Sequence, residues 1–125
     1  MDVNIVTTID GDCLMIKSSG SAVELEDYKL LQERYYNEIV KYGFTTIIVD
    51  ESRMQLPASL LAQDEIVKFF SDELPEEIKA WKIAAVLPAG YIDIARYWEL
   101  QANKHGYSYY KVFISVDDAM AYIQR

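Results

Sequence analysis

Three short, almost entirely apolar runs recur along this chain, and amphipathic stretches of helical period separate them. The runs cover residues 44–49, 81–87 and 109–114. A strand that is buried on both faces needs such a composition, because neither of its faces meets water. Strands that alternate with helices pair in parallel and are joined by right-handed crossovers. The alternation therefore predicts an α/β protein built on a mostly parallel sheet.

The N-terminal segment carries a turn signal that the later runs lack. Residues 3–9 are rich in β-branched side chains, residues 13–16 form a second apolar run, and Asp10-Gly11-Asp12 lies between them. Asp-Gly tolerates the positive φ angles of a tight primed turn, so we expect a β-hairpin. The hairpin adds one antiparallel strand. The predicted product is a five-stranded mixed sheet with about four helices, in the order ββαβαβαβα.

The helices are predicted from their start and stop signals. Ser21 lies three residues before Glu24, which is the spacing of a capping box, and an apolar stripe then runs to a stop at Gly43. The second helix is predicted to begin at Pro57, and the third to span about residues 91–105. Ser115 and Asp118 frame the predicted start of the fourth helix.

Length and composition limit the class of protein. The chain has 125 residues, the size of one domain covering residues 1–125, and half of them are apolar. The lone Cys13 can form no internal disulfide, and neither a signal peptide nor a membrane span is visible, so we expect a cytoplasmic protein. The formal net charge of −8 disfavours nucleic acid as a partner.

The last third of the chain contains residue patterns that narrow the choice among α/β folds. The segments Lys82-Ile-Ala-Ala-Val86, Ile94-Ala-Arg96-Tyr-Trp98, Val112-Phe113 and Asp117-Asp-Ala119-Met-Ala-Tyr122-Ile resemble the C-terminal half of SpoIIAA-like proteins of the STAS superfamily. The element order matches that family over essentially the whole chain. These are packing motifs, so they indicate the fold more strongly than the function. The resemblance implies a non-enzymatic regulatory domain that binds a protein partner and needs no cofactor.

The resemblance also points to one serine. Anti-sigma-factor antagonists of this family carry a phosphorylatable serine at the start of the helix after the third strand, in an Asp-Ser-Ser-Gly-like context. Ser59 falls at about the matching position, but Ala58 precedes it and Leu60 and Leu61 follow it. Phosphate at a helix start meets free N–H groups and the positive end of the helix dipole. Ser59 is therefore a candidate phospho-switch, with an ordinary first-turn serine as the alternative.

A polar stretch follows the predicted strand at residues 44–49. Asp50, Glu51, Ser52 and Arg53 leave its C-terminal end, the edge at which ligands settle in open α/β sheets. We interpret Asp50, Ser52 and Arg53 as a candidate partner loop, with a solvated loop in which Arg53 pairs locally as the alternative. No histidine or cysteine accompanies them, so no metal site is predicted.

Aromatic residues near the last predicted strand suggest an interface. If Tyr107, Tyr109 and Tyr110 alternate about an edge strand, one face of that strand exposes aromatic rings and forms a homodimer patch. The alternative is that such tyrosines line the rim of the core. His105, the only histidine, is expected at a helix C-terminus, and no nucleophile has a motif that pairs with it.

These observations leave three functions. The first is a non-catalytic regulatory or protein-interaction module. The second is a carrier of a small hydrophobic ligand or lipid, in a cavity of roughly several hundred Å³ walled by Leu60, Val67, Phe70 and Trp98. The third and weakest is an enzyme that uses the polar stretch at Asp50–Arg53. No catalytic residue, cofactor or Gly-rich phosphate loop is predicted.

Overall fold

The sheet follows the order of the chain. The structure is a computed structural model that describes residues 2–57 and 60–124, and for residues 60–63 it describes the backbone alone. Its strands and helices are β1 (Asp2–Asp10), β2 (Cys13–Ser21), α1 (Leu25–Tyr42), β3 (Thr46–Gln55), α2 (Leu60–Glu73), β4 (Lys82–Val86), α3 (Ile92–Lys104), β5 (Tyr110–Phe113) and α4 (Val116–Ile123). Short 3-10 helices cover Glu76–Ala80 and Ala89–Tyr91.

The strands form one mixed sheet in the order β1-β2-β3-β4-β5. β1 is antiparallel to β2, and the other neighbours are parallel. The predicted α/β architecture and element order are therefore confirmed. Helix α1 ends as expected at Gly43, whose φ of 74° lies in the left-handed region that glycine adopts without strain.

Helices cover the two faces of the sheet unequally. The larger core contains buried residues of α1, α2 and α3, and it includes Leu14, Leu31 and Trp98. The smaller core lies under α4, where Ala119 packs with Cys13, Ile48 and Val86. Cys13 is buried in this smaller core and is a free thiol. Within the described ranges, every helix is too short or too polar to cross a bilayer.

The predicted capping box at Ser21 and Glu24 is wrong. β2 continues past the apolar run to Ser21, whose Cα faces Asp2 of β1 and Gln55 of β3. Ser21 is therefore a strand residue. Helix α1 starts after Glu24, which has extended backbone angles and makes no side-chain cap bond. At the other end of the chain the prediction holds, because Ser115 Oγ accepts a bond of 3.4 Å from the N–H of Asp118.

β3 is longer than predicted, and the polar stretch after Val49 is a strand rather than a loop. Lys17 of β2 faces Asp50, whereas Ser19 faces Arg53, so one residue of β2 is opposed by two of β3. This is a β-bulge, which breaks the regular alternation of side chains. As a result Ser52 and Arg53 are both exposed although they are neighbours.

Candidate functional site

Glu51 is the one residue of the polar stretch that the fold buries. Its side chain is only 2% exposed and points toward α1, whereas Ser52 and Arg53 lie on the surface and Asp50 is half-buried. Side chains on a strand point alternately to opposite faces, and the bulge begins directly after Glu51. The stretch is therefore divided into an inner carboxyl group and an outer polar surface.

Two tyrosines of α1 bind the Glu51 carboxylate. Tyr28 Oη donates to Oε1 at 2.9 Å, and Tyr35 Oη donates to Oε2 at 2.8 Å. The tyrosines are seven residues apart, which is about two helical turns, so they share one face of α1. Ser18 of β2 extends the chain of bonds, with its Oγ 2.7 Å from Tyr35 Oη. Because Tyr35 gives its hydrogen to Glu51, Ser18 is the donor in that contact.

Burial decides the charge state of this cluster. Desolvation raises the pKa of Glu51 from 4.5 to about 7, although the hydrogen bonds from Tyr35 and Tyr28 lower it. Burial and the nearby charge of Glu51 raise the pKa values of both tyrosines above their ordinary value. The tyrosines therefore remain protonated donors. Glu51 is the group that takes up and releases a proton near neutral pH.

A small cavity lies beside Glu51, between α1, α2 and the sheet. Its volume is about 30 Å³, and Gln32, Tyr36 and Trp81 are among its lining residues. Gln32 is buried, and its Nε2 has no hydrogen-bond partner among the described residues. Tyr36 stacks on Trp81 with ring centroids 5.8 Å apart. A cavity of this volume accommodates about two water molecules and is far smaller than a site for an organic ligand.

The structure shows no cavity of ligand size along the described walls of the predicted carrier site. The prediction of such a cavity is wrong for these residues. The space that Val67, Phe70 and Trp98 line has a volume of about 10 Å³. Phe70 packs edge-on against Trp98, with centroids 5.6 Å apart, and against Tyr107, with centroids 6.0 Å apart. These rings fill the volume that a ligand would need. The side chain of Leu60 lies outside the described residues.

The outer polar surface keeps the candidate partner residues together. Asp50 Oδ1 accepts a bond of 3.0 Å from the N–H of Ser52, and Arg53 makes no ion pair with a described residue. The local pairing considered for Arg53 is therefore not observed. Ser59, the candidate phospho-switch, lies outside the described residues.

The three tyrosines predicted as an aromatic patch do not share an exposed face. Tyr107 precedes β5 and is only 4% exposed, because its ring lies in the core. Tyr110 is partly buried and packs against Trp98 with ring centroids 5.9 Å apart. Tyr109 alone is exposed, at 57%. The predicted aromatic interface of all three residues is therefore wrong.

The sequence contains a signal for the Glu51 cluster that hydrophobic periodicity alone does not reveal. Tyr28 and Tyr35 belong to the apolar stripe of α1, and this spacing fits a helix face that covers a strand. Buried tyrosine hydroxyls need a partner. A pair of them in one stripe therefore indicates an acceptor on the sheet below, and Glu51 is an acid two residues after the buried apolar run at residues 44–49.

Two solved structures share this arrangement of elements. An anti-sigma factor antagonist from Mycobacterium paratuberculosis matches with a TM-score of 0.63 and 13% identity, over 99% of this chain and 96% of its own. An uncharacterized protein with a SpoIIAA-like fold from Shewanella loihica matches with a TM-score of 0.54 and 19% identity, over 97% and 93%. No family model and no curated protein matches the sequence significantly. The chain therefore has the SpoIIAA-like fold that the resemblance of its C-terminal segments implied.

Proposed function

We propose that the protein is a non-catalytic regulatory module that binds a protein partner at the C-terminal end of β3. The observation that carries this proposal is the length of that strand. β4 pairs with β3 only as far as Asp50, whereas β3 continues to Gln55 with β2 as its neighbour. In the described part of the chain, the last part of β3 therefore has no strand neighbour on its β4 side. In open α/β sheets, ligands settle at the carboxyl ends of the strands.

The side chains at this end of β3 suit a protein surface. The bulge brings Ser52 and Arg53 to the exterior together, and Arg53 is a cation without an ion-pair partner among the described residues. Arginine is enriched at the centres of protein interfaces, because its planar guanidinium group forms several directed hydrogen bonds. The match to an anti-sigma factor antagonist over almost the whole chain supports the same class of function.

Ser59 is part of the same proposal. In the sequence it stands immediately before Leu60, the first residue of α2, and a few residues after the open end of β3. A phosphate at this position would lie at a helix start, where free N–H groups favour a negative charge. Phosphorylation would therefore alter the charge of the segment that joins β3 to α2 in the sequence.

The experiment first captures a partner and then compares its affinity for wild type and for two variants. Wild type and Arg53→Ala are used as baits in extracts of the source organism, with Lys104→Ala at the end of α3 as a control for loss of an exposed cation. The captured partner is then titrated by calorimetry. Arg53→Ala is expected to weaken binding by about tenfold, and Lys104→Ala to leave it unchanged. Equal affinity of Arg53→Ala and wild type would contradict the proposed surface.

A second comparison tests Ser59. Ser59→Asp is expected to change the affinity for the captured partner, and Ser59→Ala to retain the wild-type value in unphosphorylated protein. If Ser59→Asp binds with the wild-type affinity, Ser59 is an ordinary residue of the first helical turn.

A further inference from the structure

The two edge strands of the sheet differ in how their backbone groups are protected from pairing with other chains. The edge strand β5 has only four residues, and side chains of α3 form hydrogen bonds with its backbone. Val112 N–H donates to Glu99 Oε1 at 2.8 Å, and Asn103 Nδ2 donates to the carbonyl of Tyr110 at 3.2 Å. Natural proteins close sheet edges in such ways, because unpaired strands recruit other chains.

The other edge strand, β1, has none of these protections. It runs for nine residues and contains no proline, lysine or arginine. No side chain in the described part of the chain forms a hydrogen bond to its backbone. Val6 and Ile9 are exposed by 59% and 56%. A long, unprotected edge strand with exposed β-branched side chains has the composition of a strand that pairs with another strand.

We propose that β1 pairs antiparallel with β1 of a second copy of the chain, so that the two sheets join edge to edge. A two-fold axis generates this contact, because the same strand lies on both sides of it. Directly opposed residues must share a face of the sheet, so the axis passes through a single residue of β1. An axis at Thr7 places Ile5 opposite Ile9, and Val6 opposite Thr8.

Charge and apolar contact select the axis at Thr7. An axis at Val6 would place Asp2 opposite Asp10, and like charges in opposed positions are destabilising. The axis at Thr7 places Asp10 opposite Asn4 instead. It also gives both exposed apolar residues, Val6 and Ile9, an opposed β-branched side chain.

The surface beside β1 is compatible with a second copy. A groove of about 370 Å³ runs between Ile5 and the outer side of α1, where it is lined by Arg34, Glu38 and Lys41 among others. A symmetric interface repeats each patch on both sides. A patch whose charges all had the same sign would therefore repel its copy, whereas this groove contains both positive and negative side chains. The inference is independent of the partner surface proposed at the end of β3.

The first test is the oligomeric state. Sedimentation velocity of the wild type is expected to show a species of twice the 14.4 kDa chain mass that dissociates on dilution. Val6→Lys introduces a cation at the centre of the pairing and should raise the dissociation constant by about tenfold or more. Leu100→Lys on α3 makes the same change of charge at a comparably exposed position and should dissociate like wild type. A wild type that is monomeric at every soluble concentration overturns the proposal, as does a dimer that Val6→Lys leaves unchanged.

The second test is the register, measured by disulfide formation in a Cys13→Ser background. Opposed residues of antiparallel strands have Cα atoms about 4.5–5.5 Å apart, within the range that a disulfide spans. Thr7→Cys should therefore cross-link two copies under mild oxidation. Asn4→Cys should not, because the two introduced cysteines would be about 20 Å apart along the strands. Cross-linking by Asn4→Cys and not by Thr7→Cys would overturn the axis at Thr7.

Discussion

The substitution Glu51→Gln tests the central structural finding, a carboxyl group buried between two tyrosines. Glutamine has nearly the same shape. Its amide oxygen accepts from one tyrosine hydroxyl, and its amide nitrogen donates to the oxygen of the other. The substitution therefore keeps the packing and both contacts, and it removes the ionisable group.

The magnitude follows from the pKa. In the fold the pKa of Glu51 is about 7, against 4.5 for an exposed glutamate. Each pKa unit corresponds to about 1.4 kcal/mol, so the difference corresponds to about 3 kcal/mol. The folded state holds the proton more tightly than the unfolded state. Wild type is therefore most stable below pH 4.5 with respect to this group, and it loses about 3 kcal/mol as the pH rises through 7.

Urea denaturation at a series of pH values measures this effect, with fluorescence of the buried Trp81 and Trp98 as the signal. The free energy of unfolding of Glu51→Gln minus that of wild type should rise by about 3 kcal/mol from pH 4.5 to above 7. Glu77→Gln is the matched control, because Glu77 accepts a tyrosine hydroxyl at 2.6 Å on the surface. A difference for Glu51→Gln that is constant over this range would refute the reasoning.

Three further predictions concern stability and reactivity. Tyr35→Phe should lower the free energy of unfolding by about 1–3 kcal/mol in urea denaturation, because Glu51 loses one of its two donors. Gly20→Ala should lower the melting temperature, because a Cβ at its φ of 122° would lie 2.1 Å from the carbonyl oxygen of Asp2. Cys13 should react slowly with a thiol reagent until the protein is unfolded, because burial raises its pKa and excludes the reagent.

Matched variants serve as controls for these predictions. Tyr109→Phe removes an exposed hydroxyl group and should leave the unfolding free energy within about 0.5 kcal/mol of wild type. Gly90→Ala introduces a Cβ with no atom within 4 Å and should change the melting temperature little. If Tyr35→Phe or Gly20→Ala is as stable as its control, the corresponding contact does not stabilise the fold.

The order of the elements could be predicted because its signals are local. The apolar run at residues 81–87 contains all of β4, and Gly43 ends α1 through its own backbone freedom. Such features depend on neighbouring residues in the sequence. The SpoIIAA-like fold was expected from the resemblance of the C-terminal segments to that family.

The features that could not be predicted depend on residues far apart in the sequence. Ser21 has the spacing of a cap, but pairing of β2 with both neighbouring strands overrides that local preference. Asp50 to Arg53 are too polar to suggest a strand, yet β2 extends β3 through them. The burial of Glu51 requires the tyrosines of α1, which only the fold brings to it.

The bulge adds one residue to β3 between Glu51 and Met54, which are both buried. If Ser52 were deleted, β3 would pair continuously with β2, and Glu51 and Met54 would still face the helices, since strict alternation then gives the same inner positions. The additional residue thus determines only how outward side chains are spaced. Protein engineers can therefore shorten or vary the chain here to redesign the exterior, while the hydrophobic packing beneath remains as it is.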